Sequence, residues 1–297
     1  MSEHGSPVPG GARANPHEAE GGLVVVKLGG STIAAQEHVI DQVAELARRR
    51  PVVVVHGGGA RVTVWLERLG VPTRFEDGLR VTDEPALEVT AAVLRGAANV
   101  ELVAALRARG CDAVGVSGVD GGLLAGRRLR GKGLVATVTG VRPAFARMLI
   151  DAGHVPVVAP LALDEQGVVC NVNADDAAAG LAHGLGARAL VLLTDVDGVQ
   201  GADGGRIESM TPDDAATLIS DGIIGGGMIP KVRAAIRGLS SPGTRAVIAD
   251  GSDPEALRRA LEDRGFGTRI VAPASDAGHG TGGAVPPGQA AAAEGAA

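Results

Sequence analysis

Short apolar runs that do not alternate decide what this chain can fold into. Residues 23–28 (LVVVKL), 52–56 (VVVVH), 114–117, 155–159, 190–194 and 246–250 are apolar at nearly every position. A strand with one wet face alternates, because successive side chains point to opposite sides. A continuous run needs both faces covered, which a parallel sheet with helices on either side provides. The intervening segments carry helix punctuation. Thr211 followed by Pro212 is a cap and a first-turn proline opening a helix over 213–220, and Asp253-Pro254 opens one over 255–262. Gly186 after Leu185 marks a helix stop. Gly121-Gly122 and the glycines at 131 and 133 flank 135–138 and predict a hairpin excursion near the middle. The pattern is a repeated β-α unit: an α/β fold with a mainly parallel central sheet and helices on both faces.

Composition removes several function classes. There are three Phe, one Trp and no Tyr among 297 residues, so the core is aliphatic and base stacking has no platform. A formal charge of −6 gives no basic footprint for nucleic acid. Two cysteines, Cys111 and Cys170, cannot build a disulfide framework or a zinc site. No apolar run reads as a membrane span and no signal segment is visible, so a cytoplasmic protein is expected. Residues 1–22 and 274–297 are rich in Gly, Pro and Ala without periodic apolar positions, and are expected to be disordered tails around a domain at 23–273.

Three glycine-rich segments fall at strand ends or helix starts. Lys27-Leu28-Gly29-Gly30-Ser31 closes the first strand, His56-Gly57-Gly58-Gly59 closes the second, and Gly225 to Lys231 opens a late helix. Glycines there let backbone N–H groups approach an anion, and a helix start adds a favourable dipole. Neither a Walker A spacing nor a GxGxxG fingerprint is present, so any phosphate binding is of another kind. Of 28 basic residues only Lys27, Lys132 and Lys231 are lysine, and two of those three lie in the glycine clusters. A compact ammonium fits between backbone donors where a planar guanidinium does not. Asparagine is also scarce, yet Asn171 and Asn173 both fall in NVNADD before an alanine-rich helix. Ordinary helix capping by Asn173 or Asp175 is the competing reading of this motif. Alternation would point both amides to one side, with Asp175 placed to fix the two lysines electrostatically. His56 reads as hydrogen-bonded scaffold and Cys170 as a small buried residue.

Taken in order, VVVKLGGS, VVVVHGGGA, GLRVTDE, NVNADDAA, LLTDVDGV and GIIGGGMIPKV resemble the amino-acid kinase family, and within it the acetylglutamate kinases. They span about 250 residues, nearly everything between the tails. The resemblance implies a three-layer α/β/α sandwich with an open, mainly parallel central sheet. It places the acyl amino acid in about 23–185 and ATP in about 186–273. By position, Lys27 and Lys231 would stabilise the transferring phosphoryl group and Asp175 would orient them. Gly29 and Gly30 would face the phosphates. Gly58 and Gly59 would donate backbone N–H groups around the acceptor, Arg80 would clamp its other carboxylate, and Asn171 and Asn173 would hold its polar groups. Thr194, Asp195, Val196 and Gly198, with Ile223, Ile224, Gly225 and Gly226, would form the nucleotide pocket.

The implied reaction is ATP-dependent phosphorylation of the side-chain carboxylate of N-acetyl-L-glutamate. That acceptor is ionised at neutral pH and needs no general base. Mg²⁺ would ride on the ATP phosphates, with Asp195 and Asp197 as loop residues rather than metal ligands. One departure is a segment, Ser117-Gly118-Val119-Asp120-Gly121-Gly122, without a lysine after its first glycine. With Arg127, Arg128, Arg130 and Lys132 it also resembles kinases acting on aminoadipate or glutamate attached to an acidic carrier protein. A catalytically silent nucleotide sensor on the same fold is a further alternative. Arginine-inhibited relatives carry an N-terminal helix that interlaces dimers into a hexamer. Pro7, Pro9, Pro16 and Gly21-Gly22 exclude such a helix here, so a homodimer joined through the N-terminal half, insensitive to arginine, is expected.

Overall fold

The computed structural model describes residues 22–29 and 37–272. Gly30 and both tails, with the expectations placed on them, lie outside these residues. The chain opens with β1 (Val24–Leu28), α1 (Glu37–Arg49), β2 (Val52–His56) and α2 (Gly59–Arg68). A small hairpin of β3 (Arg74–Glu76) and β4 (Leu79–Val81) follows, then α3 (Glu84–Ala91) and α4 (Asn99–Ala108), joined by a π-helical turn at Ala92–Ala98. Next come β5 (Ala113–Ser117), β6 (Leu124–Arg128), β7 (Val135–Val141), α5 (Pro143–Asp151), β8 (Val155–Ala159), β9 (Leu161–Leu163) and β10 (Val169–Val172). The last part holds α6 (Ala174–Gly184), β11 (Ala189–Thr194), β12 (Ser209–Met210), α7 (Pro212–Ser220), α8 (Met228–Arg237), β13 (Arg245–Asp250), α9 (Ala256–Glu262) and β14 (Thr268–Val271).

The main sheet runs β12-β14-β13-β11-β1-β2-β8-β5. Every neighbouring pair is parallel except β13 with β14. The six apolar runs read from sequence are β1, β2, β5, β8, β11 and β13, six of its eight strands, within one residue at each boundary. Their side chains divide by parity. Val25, Val53 and Val55 face a core shared with α5, α6 and α8, whereas Val24, Val26, Val52 and Val54 face one shared with α1, α4 and α9. The three-layer sandwich is therefore built by strands buried on both sides.

Helix starts follow local chemistry. Thr211 caps α7, with a reciprocal capping box through Asp214 and Pro212 in the first turn. The helix after Asp253-Pro254 begins one residue later than expected, at Ala256, because the Asp253 carboxylate accepts from Glu255 N–H at 2.8 Å and forms a turn first. Gly186 has φ +64° after α6, the left-handed stop that glycine tolerates. The predicted hairpin is β6–β7, but it belongs to a closed four-stranded barrel, β10-β7-β6-β9. Reading by uninterrupted apolar runs also passed over the helical stretch Glu84–Ala108, which is long and apolar enough by length and composition to cross a membrane. Here it is a core element. Thr90, Val93, Leu94, Asn99, Leu102 and Leu106 along it are buried, packing towards β5 and β8 on one side and α2 on the other.

Candidate active site

The parallel order brings the ends of β1 and β2 side by side, with Leu28 opposite His56. Lys27 emerges from β1 next to them, nearly fully buried at 6% exposure. α6 begins close by, and Asp175 lies in its first turn. The Lys27 ammonium is 2.8 Å from one oxygen of Asp175, and Lys231, from the first turn of α8, is 3.2 Å from the other. Three separate elements thus converge on one carboxylate, as expected from the sequence.

Burial alone would push the Asp175 carboxyl up, but the two ammonium groups outweigh it and hold it below the usual carboxylate range. The α6 N-terminus adds its dipole to the same effect. Burial lowers Lys27 from the ordinary lysine value, Asp175 pulls it back, and Lys231 adds a repulsion. Asp195, at the end of β11, is held low mainly by the Thr194 hydroxyl and its own backbone N–H, with both lysines contributing.

A cavity of about 270 Å³ opens in front of this bridge. Gly57, Gly58, Gly59, Arg80, Asn171 and Asn173 line it together with the bridge residues. Arg80 is 7% exposed and donates to Thr73 Oγ1 (2.5 Å), Thr63 Oγ1 (2.6 Å) and Gly59 O (3.0 Å), while lying over the Phe75 ring. All of these partners are neutral. Among the described residues no carboxylate reaches Arg80, and burial lowers its pKa. The charged residues lining the cavity are Lys27, Arg80 and Lys231 against Asp175, a net of +2. Such a surplus in a concave, partly desolvated site calls for an anionic ligand.

Backbone donors complete the wall. Gly57 N–H is spent on Leu28 O, while Gly58 O accepts from Val62 and Gly59 O from Arg80. Gly58 N–H has no acceptor among the described residues, and Gly59 opens α2, so its N–H has none within the helix. Gly58 is also required by packing, since a Cβ there would meet Leu94 at 2.6 Å.

Asn173 differs from its expected geometry. β10 ends at Val172, so the alternation stops before it, and Asn173 is the cap of α6, its amide oxygen accepting from Asp175 N (2.8 Å) and Asp176 N (3.3 Å). It still lines the cavity, and by capping α6 it sets where Asp175 points. Asn171 donates to Thr82 Oγ1 at 3.4 Å. The cavity wall also contains Val62, Thr90 and Leu94, which no motif singled out because aliphatic helix positions look alike in sequence whether they line a core or a pocket.

A wider groove of about 1050 Å³ shares Asn173, Asp175 and Lys231 with the cavity and runs past Gly226, Gly227 and Pro230. Gly29 sits against the end of β11, where an added Cβ would be 3.2 Å from Leu193 O and 3.9 Å from Thr194 Cα. Val196 is exposed, Gly225 faces open space, and Ile223 leads into Ile224, whose side chain is buried in the core. Gly198 is demanded by close approach: a Cβ would meet Thr268 Oγ1 at 2.6 Å and Arg206 at 2.8 Å.

Two of the four cations on the basic hairpin are paired, while Arg127 and Arg130 are exposed. Lys132 pairs with Glu76 at 3.0 Å and Asp77 at 2.7 Å, and Arg128 with Asp164 at 2.6 Å. Those lysine contacts tie the β6–β7 turn to the β3–β4 hairpin rather than offering a basic surface.

An α/β sandwich that gathers two ammonium groups, their shared carboxylate and glycine N–H donors around an anion-seeking cavity has the parts of a phosphotransferase. The chain belongs to the amino acid kinase family, whose model matches residues 22–250. Curated relatives over most of its length are acetylglutamate kinases. The one from Rubrobacter xylanophilus is 45% identical, covering 83% of this chain and 96% of its own. The one from Geobacillus kaustophilus is 42% identical over 78% of this chain and 91% of its own, and the chloroplastic enzyme of Arabidopsis thaliana 39% over 84% and 76%. Among solved structures the fold resembles the N-acetylglutamate synthase from Neisseria gonorrhoeae complexed with coenzyme A and N-acetyl-glutamate. Its TM-score is 0.73 at 23% identity, covering 88% of this chain and 62% of that one.

The buried bridge has a pH signature. Asp175 is lowered in the folded state, so its contribution to stability is complete above the unfolded value of about 4 and fades as pH falls through the lower folded one. Urea denaturation of wild type and Asp175→Asn should show a stability gap near neutral pH that narrows below about pH 4. A gap that stays constant on acidification would contradict the assignment.

Proposed function

We propose that the protein transfers the γ-phosphoryl group of ATP to the side-chain carboxylate of N-acetyl-L-glutamate in arginine biosynthesis. The carrying observation is the cavity's charge: a net +2 lined by Lys27, Arg80, Lys231 and Asp175. N-acetyl-L-glutamate has two carboxylates and no ammonium, a net of −2 at neutral pH by ordinary side-chain values. Free glutamate brings a third, positive charge that meets no carboxylate left unpaired in the cavity. The relatives' names support the same substrate.

In this reading Arg80 takes the carboxylate that does not react, and Gly58 and Gly59 N–H groups meet the acceptor. Asn171 and Asn173 flank it. An acceptor oxygen forms a bond to the γ-phosphorus as the bridging P–O bond to ADP breaks. The electron pair leaves with ADP, and no proton moves. Lys27 and Lys231 sit where charge spreads over the transferring group, and Asp175 holds both at that point. Gly29 faces the phosphates, the role that the resemblance also gives Gly30. The nucleotide lies along the 186–273 part, over Thr194, Asp195, Val196, Gly198, Ile223, Ile224, Gly225 and Gly226, and the acyl amino acid in the 23–185 part. Mg²⁺ fits as an ion held by the ATP phosphates, because both Asp175 oxygens are committed to ammonium groups; it supplies neutralisation of the triphosphate.

The chain fits a cytoplasmic enzyme that works as a homodimer through its N-terminal half. Trp65 on α2, Leu69 just after it and Val100 on α4 are exposed, and Arg61 of α2 pairs with Glu101 of α4, so the two helices present one partly apolar surface. Light scattering should give a dimer, with no change in rate on adding arginine; a hexamer inhibited by arginine would reverse this.

An acyl-phosphate assay with ATP and Mg²⁺ should show turnover of N-acetylglutamate far above glutamate, aspartate or aminoadipate. Lys27→Arg and Lys231→Arg should each lower kcat at least about a hundredfold, since the charge stays but its reach changes. Turnover near wild type in both variants would remove them from the phosphoryl path.

Arg80→Ala should raise KM for N-acetylglutamate at least about tenfold and leave KM for ATP nearly unchanged. A selective loss of ATP affinity would reverse the roles given to the two parts of the chain.

A further inference from the structure

A buried polar chain behind the glycine loop has no part in the chemistry described so far. Asn99 is fully buried where the π-helical turn passes into α4. Its amide nitrogen is 2.9 Å from Val157 O, 3.4 Å from Val116 O and 3.1 Å from His56 Nε2. Its amide oxygen faces an Arg95 N–H at 3.4 Å. Two carbonyls on one side and a guanidinium on the other fix the orientation of that amide. The nitrogen that meets His56 is therefore a donor, and Nε2 must accept. The ring proton then sits on Nδ1, which lies 2.8 Å from Gly57 O. Gly115 makes room for the arrangement, since a Cβ there would overlap the Asn99 amide oxygen. Burial and Arg95 disfavour an imidazolium, and the Gly57 carbonyl only partly opposes them.

The consequence lies in the next peptide. In a trans peptide the carbonyl and the following N–H point in opposite directions across one plane. A carbonyl of Gly57 drawn inward by His56 turns Gly58 N–H the other way, towards the side on which Gly57, Gly58 and Gly59 line the cavity. Leu28 O holds Gly57 N–H and Val62 N–H holds Gly58 O, so the peptide between Gly57 and Gly58 takes its orientation from the His56 hydrogen bond.

We propose that His56, fixed by Asn99 as its Nδ1–H tautomer, is a positioning residue that aims the Gly58 donor at the anionic acceptor. The inference rests on the acceptor site proposed above, and the test separates the two. Imidazole ¹⁵N spectra of the whole protein, without substrate, should show His56 with its proton on Nδ1; a proton on Nε2 overturns the inference whatever the enzyme's substrate. For activity, His56→Asn keeps a donor at the Nδ1 position, and His56→Gln keeps a polar atom near Nε2 but loses that donor. Wild type is assayed first, and an absence of N-acetylglutamate turnover would count against the proposed function, leaving the spectroscopic test standing. With an active wild type, His56→Gln should raise KM for N-acetylglutamate at least about tenfold at nearly unchanged KM for ATP. His56→Asn should recover most of that loss. The melting temperatures of the two variants should fall alike, because both lose the imidazole. Equal KM for N-acetylglutamate in the two variants, or a loss that falls on ATP, would overturn the positioning role.

Discussion

A carboxylate buried between two ammonium groups needs all three partners held from different directions, because any one left alone is a desolvated charge. Lys27 comes from β1, Asp175 from the first turn of α6 and Lys231 from the first turn of α8. Each position depends on the element behind it. β1 is the middle of the sheet, paired with β2 and β11, and its other side chains are wholly buried. α6 is packed against the barrel through Gly180 and Gly184, where a Cβ would meet Val138 and Val141 at 2.7 Å and 2.6 Å. Asn173 fixes the start of that helix. The sandwich is thus the means by which three charges from distant parts of the sequence are kept within contact distance.

The acceptor side follows a different logic. Arg80 is buried with hydroxyl and carbonyl partners only, so its charge is stabilised by hydrogen bonds and left uncancelled. The Lys27–Asp175 pair, by contrast, is compensated within the protein. The cavity lining therefore combines a charge available to a ligand with charges arranged around a countercharge that orients them. In the reaction proposed above the first arrangement would serve binding and the second the reacting group, where interactions that strengthen in the transition state matter most.

The sequence made most of this legible for physical reasons that also explain its gaps. Strands buried on both faces cannot alternate, so β1, β2, β5, β8, β11 and β13 stood out as unbroken runs. The conspicuous lysines and glycines identified the Lys27, Asp175 and Lys231 group before its geometry was known. The barrel was not legible, since β9 has three residues and β10 four, too short for any period to register. Asn173 was ambiguous between a strand amide and a helix cap, and the strand ended one residue too early for the first. Asn99 carried a signal that was passed over, a scarce amide inside an otherwise apolar helical stretch. Its meaning depends on His56 and Val157, 43 and 58 residues away, which no local pattern connects.

The same separation explains why so few lysines suffice. Elsewhere in the chain Arg meets the need for a cation: it pairs with Asp164 from Arg128, with Asp176 from Arg237, and with Asp253 from Arg259. Those pairs are partly exposed and tolerate a broad planar head. At Asp175 two cations share one carboxylate beside a cavity that the proposed reaction would fill with a phosphoryl group. A planar guanidinium would take up part of that space. Lys132 keeps its ammonium for a related reason, since it bridges Glu76 and Asp77 at once from the tip of a tight hairpin. Lys132 thus satisfies two partners with one compact charge, and in the proposed reaction Lys27 and Lys231 would do the same, with Asp175 as one partner and the transferred group as the other.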